Sequence, residues 1–175
     1  DELLAEQKAA GANLDYNTIR HDMPLLHASV SEALRLRPPL IFLMRTAMTD
    51  LQIKDVVIPR TDTIFLSPVY SGLREEIFSK PTEAYDPYRF LAPRNEHEKH
   101  THGWVGFGGG RHRCLGEQFA YVQIKTIWSY LLRNFELEAP STLPVPNYEA
   151  LVVGPKPPAL VICRCALFPS LNRLL

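Results

Sequence analysis

One cysteine of this 175-residue chain follows a loop rich in glycine and in positive charge. Three consecutive glycines, residues 108–110, can adopt backbone angles that other residues avoid, and they let a bulky group come close. Arg111, His112 and Arg113 follow at once, and Cys114 stands where a long apolar helix should begin. The positive end of a helix and neighbouring cations both favour the thiolate form of a cysteine. The pattern therefore predicts a thiolate at Cys114 that binds a metal cofactor carrying negative groups.

Several other sites built on glycine or cysteine do not fit this stretch. A dinucleotide-binding G-x-G-x-x-G motif counted from Gly106 would need a glycine where Arg111 stands. A phosphate-binding P-loop needs Gly-Lys-Ser/Thr, which is absent, and a phosphatase-type cysteine needs an arginine where Ala120 stands. A lone cysteine is most often a small buried hydrophobic residue, and residue types alone leave that alternative open. Iron protoporphyrin, whose two propionates would meet the basic triplet, fits the pattern best.

The segment 107–116, which reads F-x-x-G-x-H-x-C-x-G, resembles the haem-binding signature of the cytochrome P-450 superfamily. Within that superfamily, FGGGRHRCLGEQFAYVQIKTIW is most similar to the sterol 14-alpha-demethylases, including a histidine where most relatives carry arginine. The resemblance implies haem b as cofactor and Cys114 as its axial thiolate ligand and the catalytic residue. It also implies that Phe107 packs beside the sulfur and that His112 contacts a propionate. The cofactor-binding residues implied in this way are Phe107, Gly108, Gly110, His112, Cys114, Gly116 and Arg45.

Two further motifs resemble elements of the same superfamily. Glu32-x-x-Arg35, ahead of two prolines, resembles its Glu-x-x-Arg motif, and the segment PYRF at 87–90 resembles its Pro-x-Arg-Phe element. On residue types alone, such an i,i+3 pair would be solvated and would contribute a few tenths of a kcal/mol. The resemblance implies instead that Glu32, Arg35 and Arg89 form a buried charge triad behind the cysteine loop. Breaking such a buried set costs about 3–5 kcal/mol, so the triad would lock the loop that holds Cys114.

The segment 40–44 is apolar without a period and is followed by Arg45, which predicts a short buried strand that ends in one cation. The resemblance implies that this segment lines the substrate cavity and that Arg45 pairs with a haem propionate. The alternative is a core strand followed by a solvated arginine. The substrate-binding residues that the resemblance implies are Ile41, Phe42, Leu43, Leu151 and Val152.

Apolar periodicity and end signals predict four helices, at residues 1–10, 15 to about 20, 22 to about 37 and 115 to about 134. The last of these carries little polar surface, so it should be buried on all sides. Alternation at 51–53, 56–58 and 64–66 predicts an antiparallel meander, and a final pair of strands is expected at 151–153 and 159–163. Superfamily relatives usually carry glycine where Thr61 stands, so we expect a different turn there.

The resemblance implies a mainly α fold with small antiparallel β-sheets (α+β), the C-terminal part of the cytochrome P-450 fold. Residues 1–175 would then be the C-terminal haem-binding part of a single domain whose N-terminal half is absent from this sequence. Composition agrees with a globular domain, at 46% hydrophobic and 22% charged residues. Nineteen basic residues balance nineteen acidic ones, so charge gives no reason to expect nucleic acid. Three cysteines predict no disulfide scaffold and favour a reducing compartment.

Two local patterns have ordinary interpretations. NEHEKHTH at 95–102 holds three histidines but no framework of acids or cysteines, so a solvated loop is favoured over a metal site. No apolar run approaches the ~20 residues that cross a bilayer, so we expect no transmembrane helix in this sequence.

The resemblance implies a haem-thiolate monooxygenase, a sterol 14-alpha-demethylase that removes the 14-alpha methyl group of a sterol with O2. Electrons would come from NADPH through NADPH-cytochrome P-450 reductase, at the cytosolic face of the endoplasmic reticulum membrane. The resemblance implies that a membrane anchor and the long helix on the distal side of the haem, which relays protons to bound oxygen, would lie before Asp1. We therefore expect this chain alone to be inactive. The alternatives are a truncated non-catalytic haem-binding fragment, a cytochrome P-450 for another lipophilic substrate, and an interaction module with a glycine-rich anion loop. The interaction module leaves the triad pattern unexplained.

A basic surface for the reductase is one further hypothesis. Arg111, Arg113, Lys125 and Arg133 would together face an acidic partner. Ordinary solvation of these four side chains is the alternative.

Overall fold

The structure, a computed structural model, describes residues 1–140, 142–150 and 152–165. Within these ranges the helices are α1 (Glu2–Ala9), α2 (Tyr16–His21), α3 (Pro24–Leu36), α4 (Pro68–Gly72) and α5 (Glu117–Asn134). The strands are β1 (Leu43–Thr46), β2 (Leu51–Ile53), β3 (Val56–Ile58), β4 (Thr63–Leu66), β5 (Phe135–Glu138), β6 (Pro146–Asn147), β7 (Gly154–Pro155) and β8 (Ile162–Cys165). Short 3₁₀ helices cover Pro87–Phe90, Glu96–Glu98 and Gly110–His112. The predicted class, mainly α with small antiparallel sheets, is confirmed.

Local end signals explain where α2 and α3 begin. The carboxylate of Asp15 accepts the backbone N–H of Thr18 at 2.8 Å and caps α2. Pro24 occupies the first turn of α3, where its missing N–H costs nothing. The free N–H groups of the next two residues of α3 donate to the Glu6 carboxylate at 2.6 and 2.9 Å. A side chain of α1 therefore completes the start of α3, which fixes these helices against each other.

Helix α3 joins the two apolar clusters of the core. One cluster contains Ile19, Met23 and Leu26 and packs against α1 and α5. The other contains Ala28, Ile77, Phe78 and Phe90, with Trp104 packed against it. Because α3 contributes to both clusters, the motif that it carries lies at the centre of the described structure.

The prediction that α5 is buried on all sides is wrong. Its buried residues form one stripe at a spacing of four: Glu117, Tyr121, Lys125 and Ser129. Phe119, Ile127 and Trp128 are exposed within the described residues, although they are among the apolar residues of the helix. The polar stripe is tolerated inside because each of its members has a partner, such as Ser31 for Tyr121 at 2.8 Å and the Arg20 carbonyl for Lys125 at 3.2 Å. In the part of the chain that the structure describes, no helix is long and apolar enough to span a membrane.

The predicted three-stranded meander is also wrong, although its strand positions are close to those observed. Strands β2 and β3 form an antiparallel hairpin with Ile53 opposite Val56, whereas β4 pairs with β1, with Leu43 opposite Leu66. Two further bonds continue the β1–β4 ladder, from the Ala47 N–H to Asp62 O at 2.9 Å and from the Thr61 N–H to Ala47 O at 2.8 Å. The β2–β3 hairpin is therefore an excursion between two paired strands, and β3 and β4 belong to different two-stranded sheets.

Thr61 lies at the end of this excursion with a φ of +80°. Left-handed backbone is unfavourable for a β-branched residue, and glycine would adopt it without a steric penalty. The turn therefore keeps the backbone angle that favours glycine, and the threonine is strained.

The final pair of strands differs from the prediction as well. Gly154–Pro155, expected to be the turn between them, forms β7 and pairs with β6. Strand β8 pairs instead with β5, which follows α5 without a loop, and Cys163 lies opposite Leu137. The sequence spacing could not show that β8 takes this earlier strand as its partner.

Candidate functional site

The cysteine loop presents a free thiol at the start of α5. Gly108 donates its N–H to Val105 O at 2.9 Å, and the Cys114 N–H donates to Phe107 O at 2.9 Å. Gly108 and Gly110 have φ of +76° and +62°, which explains why glycine is required there. The Cys114 side chain is exposed, so the alternative of a small buried hydrophobic residue does not hold. The two backbone bonds fold the loop back on itself and turn the thiol outward.

The residues around Cys114 fit a haem. A Cβ added to Gly110 would meet no atom within 4 Å, and Leu115 is fully exposed, so the sulfur has open space around it. The described residues contain no group of three or more His, Cys, Asp or Glu side chains that could hold a bare metal ion. A single sulfur donor suits a metal whose other ligands come with the cofactor, as the ring nitrogens of haem do.

The Glu32 and Arg35 side chains form a buried, bidentate ion pair on α3. Arg35 Nε lies 2.6 Å from Glu32 Oε2, and Arg35 Nη2 lies 2.7 Å from Glu32 Oε1. Arg35 also donates to the carbonyls of Gly72 at 2.5 Å and Ala84 at 3.3 Å. Every donor therefore has an acceptor, which is the condition under which a buried ion pair is tolerated.

Arg89 completes the predicted trio in space. Its Nε lies 3.5 Å from Glu32 Oε1, and both side chains are at most 1% exposed. Its terminal nitrogens donate to the carbonyls of Ser79 and Pro81. The structure therefore brings Glu32, Arg35 and Arg89 together, with Arg89 more loosely held by Glu32 than Arg35 is.

Glu96 belongs to the same network, and its burial was not predicted from the sequence. It lies in the NEHEKHTH segment, which was predicted to be a solvated loop, yet Glu96 is only 2% exposed. It accepts bonds from Ser79, Arg94 and Arg89, at distances between 2.6 and 3.4 Å. Burial raises the pKa of this carboxyl, but the Ser79 hydroxyl and N–H and the Arg94 guanidinium outweigh it and lower the pKa to about 2. No local spacing marks Glu96 as buried, because Ser79 and Arg89 come from other segments, although Arg94 is only two residues away.

A row of aromatic rings connects this network with the cysteine loop. The ring centroids of Phe90 and Trp104 are 5.4 Å apart, and those of Trp104 and Phe107 are 6.3 Å apart. Phe107 then lies 5.2 Å from Tyr121 of α5. Phe107, predicted to pack beside the sulfur, is therefore fixed on both sides by other rings.

A cavity of about 480 Å³ opens beside the glycines of the loop. Its lining includes His27, Trp104, Arg113, Glu117 and Tyr121. The His27 ring stacks on Tyr121 at 4.0 Å. Burial, helped by the nearby Lys125 charge, lowers the pKa of His27 to about 4, and burial raises the pKa of Tyr121 to about 12. Both rings are therefore neutral near pH 7.

His112 and Arg45, the two residues predicted to contact propionates, differ from each other in exposure. His112 is exposed in the 3₁₀ helix that ends two residues before Cys114. Arg45 is half-buried in β1, and its Nη1 donates to the Met44 carbonyl at 2.7 Å. Its remaining donors are available to an anion such as a carboxylate.

The predicted short buried strand at 40–44 is wrong in both position and burial. Strand β1 begins at Leu43 and includes Arg45, and its side chains alternate between half-buried and exposed. Phe42 is exposed and meets Phe65 edge-to-face at 5.7 Å, on the opposite side from Leu43. Strand β1 pairs with β4, and none of its four side chains is fully buried.

The two segments predicted to bind substrate lie side by side. The Val153 N–H donates to Pro39 O at 2.8 Å, which joins the chain after α3 to the segment that contains Val152. Ile41 and Val153 line the same apolar cavity of about 330 Å³, and Val152 itself is exposed. Leu151 lies outside the described residues.

The hypothesis of a four-residue basic surface is wrong. Lys125 is 2% exposed and donates to Arg20 O, and burial lowers its pKa. Arg133 donates to the carbonyls of Gln7 and Gly11 at 2.8 and 2.7 Å. Arg113 forms a bidentate pair with Glu117 at 2.5 and 2.7 Å. Lys125 is therefore bound inside the fold, and Arg133 is half-buried with its donors engaged by Gln7 and Gly11, so the four cations do not form one open surface.

Comparison with known proteins agrees with this geometry. The Cytochrome P450 family model matches residues 2–163. Obtusifoliol 14-alpha demethylase of Triticum aestivum is 41% identical over 170 residues, which are 91% of this chain and 37% of that protein. Sterol 14-demethylase of Arabidopsis thaliana is 44% identical, over 83% of this chain and 31% of that protein. Lanosterol 14-alpha demethylase of Homo sapiens is 35% identical, over 90% of this chain and 31% of that protein.

The fold is similar as well. The structure of retinoic acid bound cyanobacterial CYP120A1 superposes with a TM-score of 0.85 over 94% of this chain and 38% of that one, at 23% identity. The chain thus spans about a third of the length of the curated relatives it matches. Because family members carry haem, the match also implies haem as the cofactor. The match to the family model and to these relatives, which agrees with the exposed thiol, the glycine loop and the buried charges, shows that the chain belongs to the cytochrome P450 family.

Proposed function

We propose that this chain is the haem-thiolate portion of a sterol 14-alpha-demethylase. The observation that carries the proposal is the exposed Cys114 thiol on a glycine loop with open space around it. Relatives between 35% and 44% identical are named as demethylases of sterols, of lanosterol or of obtusifoliol, which supports the choice of substrate class. Because the chain spans about a third of these relatives, the activity is proposed for a longer protein that contains it.

In this proposal the Cys114 thiolate would bind the haem iron, and its neighbours would hold the cofactor. Bound haem supplies oxygen activation and C–H oxidation. Gly108, Gly110 and Gly116 leave room for the ring, while Phe107 shields one side of the sulfur. His112 and Arg45 donate to the propionates, and Arg45 has donors left for this purpose. The Cys114 N–H, bonded to Phe107 O, keeps the sulfur pointing out of the loop.

The charge network gives the loop its rigidity. Glu32, Arg35 and Arg89 fasten α3 to the 3₁₀ helix Pro87–Phe90, whose last residue packs on Trp104. The rings then connect to Phe107, which bonds the Cys114 N–H. The triad thus acts through packing and does not touch the cofactor.

A lipophilic sterol is the proposed substrate. The apolar residues proposed to contact it are Ile41, Leu43 and Val152, together with Phe42 on the other side of β1 and Leu151 outside the described residues. Of these, Ile41 lines the apolar cavity of about 330 Å³. Electrons come from NADPH through NADPH-cytochrome P-450 reductase, and the enzyme works at the cytosolic face of the endoplasmic reticulum membrane. The family membership supports a lipophilic substrate and a redox partner, and the names of eukaryotic relatives support the sterol.

The ligand test is the carbon-monoxide difference spectrum of the reduced full-length protein. We expect a thiolate-type Soret band that disappears in Cys114→Ser, because a serine hydroxyl does not supply the thiolate. Cys163→Ser is the matched control, since Cys163 is also a free, exposed thiol and should leave the band unchanged. A thiolate-type band that persists in Cys114→Ser would overturn the proposal.

The substrate test is the spin-state shift of the haem on titration with sterols. We expect 14-methylated sterols to produce the shift and their 14-demethylated counterparts to produce a weaker one. A shift with an unrelated lipid, and silence with every sterol, would indicate a cytochrome P450 for another substrate class. A full-length protein that does not bind haem would instead support the alternative of an interaction module with a glycine-rich anion loop.

A further inference from the structure

We infer that Glu96 is a positioning residue for the cysteine loop, acting as the second buried carboxylate of the charge network. The inference rests on the proposed haem-thiolate function and goes beyond the Glu32, Arg35 and Arg89 trio. It assigns to the segment NEHEKHTH a part in holding the thiolate in place.

The first support is the number and type of the contacts that Glu96 makes. Glu96 Oε1 accepts the Ser79 hydroxyl at 2.6 Å and the Arg94 nitrogens Nε and Nη2 at 3.0 and 2.8 Å. Glu96 Oε2 accepts the Ser79 N–H at 3.0 Å and Arg89 Nη1 at 3.4 Å. Five donors converge on one carboxylate that is 2% exposed, so this side chain is held in one orientation.

The second support is the charge balance of the buried cluster. Its cations are Arg35, Arg89 and Arg94, and its anions are Glu32, Glu96 and Asp86. Arg94 and Asp86 lie at its edge, with side chains that are 34% and 31% exposed. Glu32 is engaged by Arg35 in a bidentate pair, and its contact with Arg89 is longer, at 3.5 Å. Without Glu96, the fully buried Arg89 would depend on that long contact alone for charge compensation. An uncompensated charge in such a place is strongly unfavourable, so the surrounding backbone would move to hydrate it.

The third support is the path from Glu96 to the thiol. Glu96 begins the 3₁₀ helix whose next residue, His97, packs its ring on Phe90 at 4.8 Å and faces Trp104 at 6.4 Å. Trp104 meets Phe107, whose carbonyl accepts the Cys114 N–H at 2.9 Å. A change in the position of Glu96 would therefore shift His97 and, through it, the Trp104 ring, which packs against Phe107 of the cysteine loop.

The experiment compares Glu96→Gln with Glu98→Gln in the full-length, haem-bound protein. Both changes replace a carboxylate by an amide in the same 3₁₀ helix, but the Glu98 side chain is 65% exposed. In Glu96→Gln we expect the ratio of thiolate-ligated to neutral-thiol haem, read from the carbon-monoxide difference spectrum, to fall on the order of tenfold. In Glu98→Gln the ratio stays unchanged. Equal ratios in the two variants would overturn the inference.

A second control separates positioning from general loss of stability. Met23→Ala removes a fully buried side chain from the other apolar cluster and destabilises the protein without touching the charge network. At temperatures equally far below each unfolding midpoint, we expect Met23→Ala to keep the ligation ratio of the unsubstituted protein. The same loss of ratio in Met23→Ala would show a general effect and overturn the inference.

Ser79→Ala is the second variant, for the case that Glu96→Gln yields no folded protein. It removes one donor to Glu96 and keeps the charge, so we expect a smaller fall in the ratio, about two- to threefold. An unchanged ratio in Ser79→Ala would then count against the inference. Absence of the thiolate-type band from the unsubstituted protein would overturn the proposed function itself, which is a distinguishable result.

Discussion

At the scale of single residues, burial decides what a charged side chain contributes. Glu32 and Arg35 have the spacing of an ordinary surface pair on a helix, yet both side chains are fully buried. Lys80 and Glu75 form an ion pair of similar length, 2.9 Å, on the exposed surface. The exposed pair is screened by water and contributes little, whereas removing one partner of the buried pair leaves a charge without compensation.

The first prediction follows from this contrast. Glu32→Gln should lower the free energy of unfolding of the full-length protein by about 3–5 kcal/mol, because Arg35 and Arg89 lose their shared carboxylate. Glu75→Gln should change it by less than about 1 kcal/mol. Urea unfolding of the two variants measures the difference, and similar midpoints would show that Glu32 does not compensate the buried arginines.

The second prediction concerns pH. The pKa of Glu96 is lowered from 4.5 to about 2, because bonds from Ser79 and Arg94 outweigh the effect of burial. A carboxyl with a depressed pKa stabilises the fold fully above its ordinary pKa, and this contribution is lost as the pH falls from about 4.5 through about 2. Glu96→Gln lacks that contribution.

The free energy of unfolding, measured against pH for both proteins, tests this. We expect the unsubstituted protein to lose more stability than Glu96→Gln between pH 4.5 and pH 2. Parallel curves over this range would mean that Glu96 titrates at an ordinary pKa in the folded protein.

At the scale of elements, contacts between segments decide which strands pair and which helix face is buried, and the local sequence pattern does not predict these outcomes. The strand positions of β2 and β3 agree with the alternation in the sequence, because alternation is a property of the strand itself. Strands β4 and β8 pair with partners that the sequence order did not suggest. Helix α5 buries its polar stripe, because the neighbouring helices offer hydrogen-bond partners to that side.

The third prediction uses the strained residue beside β4. Thr61→Gly should raise the free energy of unfolding by on the order of 1 kcal/mol, since relief of the left-handed strain exceeds the extra chain entropy of glycine. The control is Thr63→Gly within β4, where glycine should destabilise the protein. Thermal unfolding of the full-length variants measures both, and a lower midpoint for Thr61→Gly would show that the threonine is not strained.

At the scale of the whole molecule, two cations of α5, the half-buried Arg133 and the buried Lys125, join parts of the chain that are far apart in sequence. Arg133 of α5 donates to Gln7 Oε1, Gln7 O and Gly11 O, across 126 and 122 residues. Lys125 joins the same helix to the last turn of α2. These contacts attach the first helices to α5, the helix that follows the cysteine loop.

The fourth prediction tests that attachment. Arg133→Met keeps most of the side-chain volume but removes the bonds, and should cost about 2–3 kcal/mol, with faster amide exchange in α1. Arg164→Met is the control, because Arg164 and its partner Glu138 are both largely exposed. Hydrogen–deuterium exchange of the two full-length variants is the measurement. Unchanged exchange in α1 after Arg133→Met would mean that other contacts hold the helix.

The sequence by itself determined the features that depend on neighbouring residues. The cysteine loop could be predicted because positive φ at Gly108 and Gly110 and a thiol three residues before the first residue of a helix are local properties. The starts of α2 and α3 could be predicted for the same reason, since the capping residue of α2 and the first-turn proline of α3 lie within one turn of the helix start. The family and the fold class followed from these local patterns and are confirmed.

Only the tertiary structure decided which polar groups lie inside. Glu96 and Lys125 look like solvated residues in the sequence, and each is buried with partners outside its own segment, such as Ser79 for Glu96 and Arg20 for Lys125. The partner of β4 likewise depends on tertiary contact, since β4 pairs with β1 and not with the neighbouring β3. A buried charge or a strand pair depends on contacts between segments, and spacing along one chain does not contain that information.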